Sequence, residues 1–230
     1  MVIQGLQKLT LLDYPGKLAA TVFLGGCNLR CPFCHNASLV LPQGARPAMS
    51  EDELVEFLAG RRPKLTAVCI SGGEPTLNAD LPSLLYRIKE LGFAVKLDTN
   101  GTSPEMIYSL MADELIDYVA MDIKASPANY ADAVGKPDFD ISAIEESVAF
   151  LLTSSIEYEF RTTLVRGIHT LDDMHGIGQW IKGAERYFLQ TYKDSGDIIS
   201  PAGLSPFSKE EMGAFLATVK NYVPNAALRG

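Results

Sequence analysis

Residues 25–36 read GGCNLRCPFCHN and hold three of the four cysteines in the chain, at positions 27, 31 and 34. A disulfide framework spreads an even number of cysteines along a small secreted chain, whereas here three are clustered and Cys69 stands apart. Closely spaced cysteine thiolates on a short loop are the usual ligands of an iron–sulfur cluster. Three thiolates would hold three corners of a four-iron cube and leave the fourth iron open, as catalytic metal sites do. We therefore expect a cluster with one open coordination position.

A structural zinc site completed by His35 is the alternative reading of this loop. Such sites normally draw four ligands from two spaced pairs, and the adjacent Cys34 and His35 cannot easily point at one ion. Cys69 lies in the apolar run AVCIS, which indicates a buried core thiol rather than a fourth ligand.

Composition narrows the class of protein. The 230 residues are 47% hydrophobic and 21% charged, which is typical of one compact domain with a substantial core, residues 1–230. The formal net charge of −8 argues against a nucleic-acid partner. No apolar run of about 18 residues or more occurs, and the N-terminus MVIQGLQKLTLLDYPGK has no signal-peptide pattern, so we expect a cytoplasmic protein without a membrane span.

Two hydrophobic periods alternate along the chain. Strand-like runs are predicted at 18–24, 66–70, 93–97, 116–123, 158–165 and 187–192. Helical stripes lie between them, at 54–58, 81–88, 106–111, 144–152 and 174–181, and a last helix covers about 208–220. Ser50 with Glu53 and Ser142 with Glu145 fit capping boxes, and Ser103 before Pro104 fits a helix start. Repeated strand–helix–strand units predict an α/β fold with a mainly parallel sheet.

Polar motifs follow the predicted strands, where ligands gather in parallel α/β sheets. The cysteine loop follows the first strand, Ser71-Gly72-Gly73-Glu74-Pro75 the second, and Asp98-Thr99-Asn100-Gly101 the third; Asp122 and Lys124 end the fourth. One edge of the sheet is thus predicted to carry three thiols, two glycine turns, carboxylates and a lysine. By itself, the Gly72-Gly73-Glu74 turn indicates an ordinary strand end with a solvated glutamate, whereas together with the cysteine loop it favours a ligand site.

The motif GCNLRCPFCHN resembles the CxxxCxΦC signature of the radical S-adenosylmethionine (SAM) superfamily, with Phe33 as the aromatic residue. The Gly72-Gly73-Glu74 turn resembles the GGE motif of the same superfamily. The segment LTLLDYPGKLAATVFLGGC and the His35-Asn36 pair further resemble the glycyl-radical-enzyme activases, most of all the activating proteins of anaerobic ribonucleoside-triphosphate reductase. The resemblance implies a partial parallel (β/α)6 barrel of the TIM type.

The resemblance also implies roles for individual residues. Cys27, Cys31 and Cys34 would hold a [4Fe–4S] cluster whose open iron binds SAM, with Phe33 beside it. Gly72 and Gly73 would let the backbone approach SAM, and Glu74 would accept a hydrogen bond from its amino group. Asp98, Thr99 and Asp122 would hold a monovalent cation, with Asn100 on the same loop, Lys124 facing the SAM carboxylate and Arg161 near SAM. A turn cap at 98–100 and a local Asp122–Lys124 ion pair remain the alternative.

The expected partner is a glycyl radical enzyme, first the anaerobic ribonucleotide reductase, with reduced flavodoxin or ferredoxin as electron donor. No auxiliary cluster is expected, because only Cys69 lies between the cysteine loop and the GGE turn. Three alternatives stay open: an activase of another glycyl radical enzyme such as pyruvate formate-lyase, a radical SAM enzyme acting on a small molecule, and an iron–sulfur electron carrier.

Overall fold

The computed structural model describes residues 1–41 and 47–229, in which strands alternate with helices. The strands are β1 (Ile3–Thr10), β2 (Ala19–Leu24), β3 (Ala67–Gly72), β4 (Ala94–Thr99), β5 (Tyr118–Asp122), β6 (Glu157–Leu164), β7 (Tyr187–Thr191) and β8 (Ala227–Arg229). The helices are α1 (Ala37–Val40), α2 (Glu51–Arg61), α3 (Leu81–Glu90), α4 (Pro104–Ala112), α5 (Tyr130–Ala133), α6 (Ser142–Thr153), α7 (Leu171–Trp180) and α8 (Lys209–Lys220). All six predicted strands and all six predicted helices are present.

The chain divides into two compact units. The first consists of Met1–Asn28 and Ser38–Ala120, and the second of Leu29–Ala37 and Met121–Gly230. Among the described residues, no helix is both long enough and apolar enough to cross a membrane.

In the first unit, β2, β3 and β4 form a parallel sheet with regular register. Because side chains alternate along a strand, residues paired across the register share a face. One face begins with a row of alanines, Ala19, Ala67 and Ala94, against which Tyr14 and Tyr118 pack. The next row on that face is polar and consists of Thr21, Cys69 and Lys96. Small side chains at one end of the face therefore leave room for aromatic rings, and polar groups increase toward the carboxyl ends of the strands.

The opposite face of this sheet is apolar and buried, as both-sided burial of parallel strands requires. It carries Ala20, Val22, Leu24, Val68, Ile70, Val95 and Leu97. The buried stripes of the accompanying helices are Leu54 and Leu58 in α2, Leu81, Leu84, Leu85 and Ile88 in α3, and Ile107 and Leu110 in α4. The helical period predicted from the sequence thus identifies the side chains that enter this core.

Strand β1 was not predicted. It pairs antiparallel with β2 and has two register irregularities, between Ile3 and Gly5 and between Gln7 and Thr10. Its sequence IQGLQKLT has exposed polar residues and a glycine, so it lacks the β-branched alternation that marks a buried strand.

In the second unit, β6, β7 and β8 are parallel. Strand β8 was also missed, because three residues are too short for a periodic signal. Its Arg229 donates two hydrogen bonds to Glu159 of β6, at 2.5 and 2.9 Å, and its guanidinium lies 3.5 Å from the centre of the Phe188 ring. Glu159 is fully buried, so this bidentate pair satisfies an interior carboxylate.

Helix starts were predicted with mixed success. The Ser50–Glu53 capping box is present, with the Glu53 N–H 3.2 Å from Ser50 Oγ. Pro104 is the first residue of α4, although the Ser103 side chain makes no capping bond. The capping box at Ser142 is wrong: Ser142 is itself the first helical residue, and its N–H donates to Asp140 Oδ1 at 2.9 Å. Two capping boxes were not predicted, at Thr170 and Ser208.

Candidate functional site

The Gly72-Gly73-Glu74 turn is bonded to the loop that carries the first cysteine. The Gly73 N–H donates to Leu24 O and the Glu74 N–H to Gly26 O, each at 2.8 Å. A Cβ on Gly73 would lie 1.9 Å from Gly26 O, and Gly72 combines a φ of +118° with a Cβ position 2.3 Å from Leu24 O. No other residue type fits either position without moving the backbone. The two glycines therefore serve the close approach of these two loops.

Glu74 is 1% exposed and receives four hydrogen bonds. Its Oε1 accepts from Thr76 N, Thr76 Oγ1 and Thr99 Oγ1 at 3.1, 2.6 and 2.7 Å, and its Oε2 accepts from Asn100 N at 2.6 Å. Burial raises the pKa of this carboxyl, and the four donors oppose that rise. Glu74 thus ties the turn after β3 to the end of β4. Its expected contact with the SAM amino group stays a prediction.

Asn100 brings the loop after β4 to the first cysteine. Its Nδ2 lies 3.8 Å from Cys27 Sγ and donates to Asn28 Oδ1 at 3.0 Å. Its Oδ1 accepts from the N–H and hydroxyl of Thr102 at 3.0 and 2.7 Å, and Thr102 Oγ1 accepts from Asn28 Nδ2 at 2.8 Å. Asn28 and Thr102 were not predicted as site residues, although Asn28 lies within the cysteine loop and Thr102 directly follows the turn 98–101. In the first unit, four of the predicted residues, Cys27, Glu74, Thr99 and Asn100, therefore form one continuous hydrogen-bonded site.

Asp98 lies at the end of β4 and is held by two neighbours. Its Oδ1 pairs with the ammonium of Lys96, and its Oδ2 accepts from Ser71 Oγ at 3.0 Å. Lys96 was not predicted as a site residue. The signal for it is a lysine inside the apolar strand AVKLDT, two positions before Asp98 and hence on the same face.

In the second unit, Cys31 and Cys34 lie on a tight turn closed by the Cys34 N–H on Cys31 O at 3.0 Å. The segment 195–200 runs along this turn, and its bonds include Ser200 N to Pro32 O at 2.9 Å and Ile199 N to Cys34 O at 3.3 Å. This segment belongs to the Gly, Ser and Pro-rich stretch after β7. Backbone hydrogen bonds from the segment 195–200 therefore help to hold the turn of Cys31 and Cys34.

Phe33 and His169 pack edge to face, with ring centres 6.0 Å apart, and both are buried. His169 Nδ1 accepts from the Val165 N–H at 3.1 Å, so Nε2 carries the proton and donates to Lys124 O at 2.8 Å. Burial lowers the pKa of His169, which keeps the ring neutral. His169 thus fixes the backbone that follows β5.

Asp122, Lys124 and Arg161 form an ion cluster in the second unit. Asp122 Oδ1 accepts from Arg161 Nε at 2.8 Å, and Oδ2 accepts from Lys124 Nζ at 2.9 Å. Burial alone would raise the pKa of Asp122, but the two adjacent cations hold it well below its usual range. Burial likewise opposes the charge on Lys124, whereas the negative charge of Asp122 and that of the nearby Cys31 in its thiolate form raise the pKa of Lys124. The cluster keeps one net positive charge, which suits an anionic ligand.

The cysteines are chemically suited to a thiolate-ligated cluster. All four are thiols, and Cys69 is fully buried with its Sγ donating to Asp13 O at 3.1 Å, as expected of a core thiol. Cys27 has the Asn100 amide beside its sulfur, and Cys31 lies in the field of the Lys124 ammonium. Donors and positive charge next to sulfur favour the thiolate that ligates metal.

Parallel strands that end in clusters of polar side chains are typical of α/β proteins that bind ligands at this edge of the sheet. Residues 21–175 match the model of the Radical SAM superfamily, and the chain belongs to that superfamily. It is therefore a radical SAM enzyme, and the family implies a [4Fe–4S] cluster and SAM.

Two relatives are informative. The chain is 33% identical over 237 residues to "Putative glycyl-radical enzyme activating enzyme MJ1227" of Methanocaldococcus jannaschii, covering 99% of this chain and 95% of that protein. It is also 33% identical over 144 residues to a 7-carboxy-7-deazaguanine synthase of Hyperthermus butylicus, covering 58% of this chain and 60% of that protein.

Solved structures agree on the fold. Streptococcus suis SuiB bound to its precursor peptide SuiA superposes with a TM-score of 0.72 at 15% sequence identity and covers 91% of this chain. The chain spans about half the length of SuiB, 48% of it. SuiB bound to S-adenosylmethionine superposes with a TM-score of 0.67 at 16% identity, covering 91% of this chain and 52% of that one. The predicted fold class, α/β with a parallel sheet of the radical SAM kind, is confirmed.

Proposed function

We propose that this protein is a glycyl-radical-enzyme activase that cleaves SAM reductively. One observation carries the proposal: the loop of Cys27 and the turn of Gly73 and Glu74 are bonded together, in a chain that matches an activating-enzyme relative over 99% of its length. The hydrogen-bonded site of the first unit therefore includes residues of both the cysteine loop and the glycine turn. A non-catalytic electron carrier needs the thiols but not the glycine turn.

Cys27, Cys31 and Cys34 hold the cluster, which when bound supplies the electron that cleaves SAM to methionine and the 5′-deoxyadenosyl radical. Phe33, Gly72, Gly73 and Asn100 shape and support the site. Lys124 uses its remaining N–H donors on the SAM carboxylate, because the Asp122–Lys124–Arg161 cluster has a net positive charge.

The substrate is a glycine of a partner protein. A hydrogen atom passes from the glycine Cα to C5′ of the deoxyadenosyl radical, which leaves 5′-deoxyadenosine and one unpaired electron on the glycine. The anaerobic ribonucleoside-triphosphate reductase is the first candidate partner, since the segment from Leu9 to Cys27 resembles its activating proteins. Reduced flavodoxin or ferredoxin is the proposed electron donor, residues 1–230 act as one radical SAM domain, and the reaction takes place in the cytoplasm.

The test uses anaerobically reconstituted protein, dithionite and SAM. The products measured are 5′-deoxyadenosine, with and without the reductase, and a glycyl radical by electron paramagnetic resonance. Cleavage with a glycyl signal supports both reaction and partner. Cleavage without that signal redirects the search to pyruvate formate-lyase and other glycyl enzymes, and no cleavage from an intact cluster contradicts the proposal and favours an electron carrier.

Cysteine variants test the assignment of the cluster ligands. Cys31→Ala is expected to lose bound iron and sulfide and to abolish SAM cleavage. Cys69→Ala is the matched control, because Cys69 is a buried thiol on β3 outside the cysteine loop. Full iron content in Cys31→Ala, or equal losses in both variants, would contradict the assignment.

A second candidate is chemistry on a small molecule. Besides the Hyperthermus butylicus protein, a 7-carboxy-7-deazaguanine synthase of Methanopyrus kandleri is 28% identical over 83% of this chain. This candidate predicts that a protein-free small-molecule extract stimulates SAM cleavage and that 7-carboxy-7-deazaguanine accumulates. Stimulation by a purified glycyl radical enzyme alone favours the activase instead.

A further inference from the structure

Lys96 is a buried lysine in the middle of β4. It is 1% exposed and is paired in the sheet register with Cys69 of β3. Its ammonium forms an ion pair with Asp98 Oδ1 and lies 6.0 Å from the centre of the Tyr118 ring. An ammonium in such surroundings requires an anionic partner, because the desolvation of an isolated charge is expensive. The ammonium of Lys96, a residue of the same strand β4, therefore balances the negative charge of Asp98.

The oxygen atoms that a monovalent cation would use in this unit already have partners. Asp98 Oδ1 is paired with Lys96, and Oδ2 accepts from Ser71 Oγ at 3.0 Å. Thr99 Oγ1 donates to Glu74 Oε1 at 2.7 Å and accepts from the Gly101 N–H at 3.1 Å. A cation at Asp98 would displace these bonds and face the ammonium, and like charges repel strongly where water is excluded. The residues do not fit a monovalent cation.

The contacts of Asp122 in the second unit also argue against a bound monovalent cation. Asp122 was the third predicted ligand, and its two oxygens accept from Arg161 and Lys124 at 2.8 and 2.9 Å. A third positive charge on this carboxylate would meet two cationic side chains. Each unit thus neutralises its own carboxylate with its own lysine or arginine.

We propose that Lys96 is the resident cation of Asp98 and that SAM binding by this protein needs no monovalent metal ion. The link to SAM rests on the proposed function; the charge balance of Asp98 does not. Lys96 acts as a positioning residue: its ammonium orients Asp98 at the carboxyl end of β4, where 16% of the Asp98 side chain remains exposed.

The wild-type protein provides the first test. The dissociation constant of SAM is measured by calorimetry on the cluster-loaded protein in potassium, sodium or tetramethylammonium chloride at equal ionic strength. We expect the three values to agree within roughly twofold. A loss of affinity of about tenfold in tetramethylammonium, which is too large to enter a cation site, would overturn the proposal.

Lys96→Met provides the second test, because it removes the ammonium and keeps an unbranched chain of similar length. At pH 8 we expect SAM affinity to fall about tenfold in tetramethylammonium and to recover when potassium or sodium fills the vacant position beside Asp98. Lys89→Met is the matched control, since Lys89 pairs with Asp117 through bonds of 2.8 and 2.9 Å nearer the surface. If the SAM affinity of Lys96→Met is the same in all three salts, the proposal is overturned.

Thermal unfolding of the apoprotein separates this inference from the proposed function. A cation that binds only the folded state raises the melting temperature by mass action, so potassium should stabilise Lys96→Met but neither wild type nor Lys89→Met relative to tetramethylammonium. If the wild type cleaves no SAM in any salt, the proposed function fails while this comparison still decides the role of Lys96. If Lys96→Met does not fold, the double variant Lys96→Met, Asp98→Asn replaces it, because it removes both charges. We expect its melting temperature to be the same in potassium and in tetramethylammonium chloride. A double variant that folds only in potassium would overturn the proposal.

Discussion

The backbone N–H of Glu74 donates a 2.8 Å hydrogen bond to the carbonyl oxygen of Gly26, the residue immediately before Cys27. The first cysteine is therefore positioned by the turn after β3 as well as by its own loop. The bond also explains why two glycines precede Glu74, since a side chain at either position would separate the two loops. The loop that carries Cys27 and the glycine turn are therefore mechanically coupled in the first unit.

Gly73→Ala should damage this coupling. Its Cβ would lie 1.9 Å from Gly26 O, so the backbone must shift. We expect a loss of about 1 to 3 kcal/mol of unfolding free energy, and SAM cleavage at least tenfold lower, as an overpacked site requires. Gly60→Ala in α2 is the control, because in the part of the chain that the structure describes no atom outside the adjacent backbone of α2 lies within 4 Å of its Cβ, and a helical alanine is favourable. Thermal melts and 5′-deoxyadenosine assays of both variants check the prediction; equal behaviour would contradict it.

Asn100→Ala should change the electronic properties of the cluster. The variant removes the amide that lies 3.8 Å from Cys27 Sγ, and donors near cluster sulfur stabilise the reduced, more negative state. We expect a more negative midpoint potential in a redox titration followed by electron paramagnetic resonance. Asn221→Ala at the end of α8 is the control, since among the described residues its amide donates to two carbonyls of the same helix, Ala217 O and Thr218 O. An unchanged potential in Asn100→Ala would mean that the amide does not act on the cluster.

His169 should make the protein less stable as the pH falls. Its pKa is lowered in the folded state by burial, so below about pH 6.5 the unfolded chain binds a proton that the folded chain does not. The free energy of unfolding therefore decreases as the pH falls below the pKa that His169 has in the unfolded chain. This group contributes up to about 1.4 kcal/mol per pH unit to the decrease. Denaturant unfolding from pH 7.5 to 5.5 should show a shallower decline in His169→Gln than in wild type. Parallel declines would contradict the neutral, buried state of this ring.

The buried pair between Arg229 and Glu159 should matter far more than the neighbouring exposed pair. Arg229→Met removes two hydrogen bonds from a carboxylate that is fully buried, and we expect a loss on the order of 3 kcal/mol. Arg186→Met removes a 3.6 Å contact to the exposed Glu157 of the same strand, for which about 1 kcal/mol or less is expected. Chemical denaturation measures both, and Arg229→Met combined with Glu159→Met should recover most of the loss. Equal losses in the two single variants would show that burial does not decide the difference.

The sequence by itself determined the order of six strands and six helices, the parallel α/β class and the positions of the candidate site motifs at strand ends. These are local properties: hydrophobic period, glycine and cysteine spacing act within a few residues of one another. It did not indicate β1 and β8, whose pairing depends on neighbours rather than on their own pattern. The capping box predicted at Ser142 does not form, because the backbone N–H of Ser142 that Glu145 would have to accept donates instead to Asp140.

Only the tertiary structure decided which group each carboxylate serves. From the sequence, Glu74, Asp98 and Asp122 could each bind a ligand, a cation or a neighbouring side chain with similar chemistry. The fold brings Thr99 and Asn100 to Glu74 from 25 and 26 residues away, and it buries Lys96 against Asp98. A carboxylate takes the donors that reach it where water is excluded, and which donors reach it depends on strand register and burial.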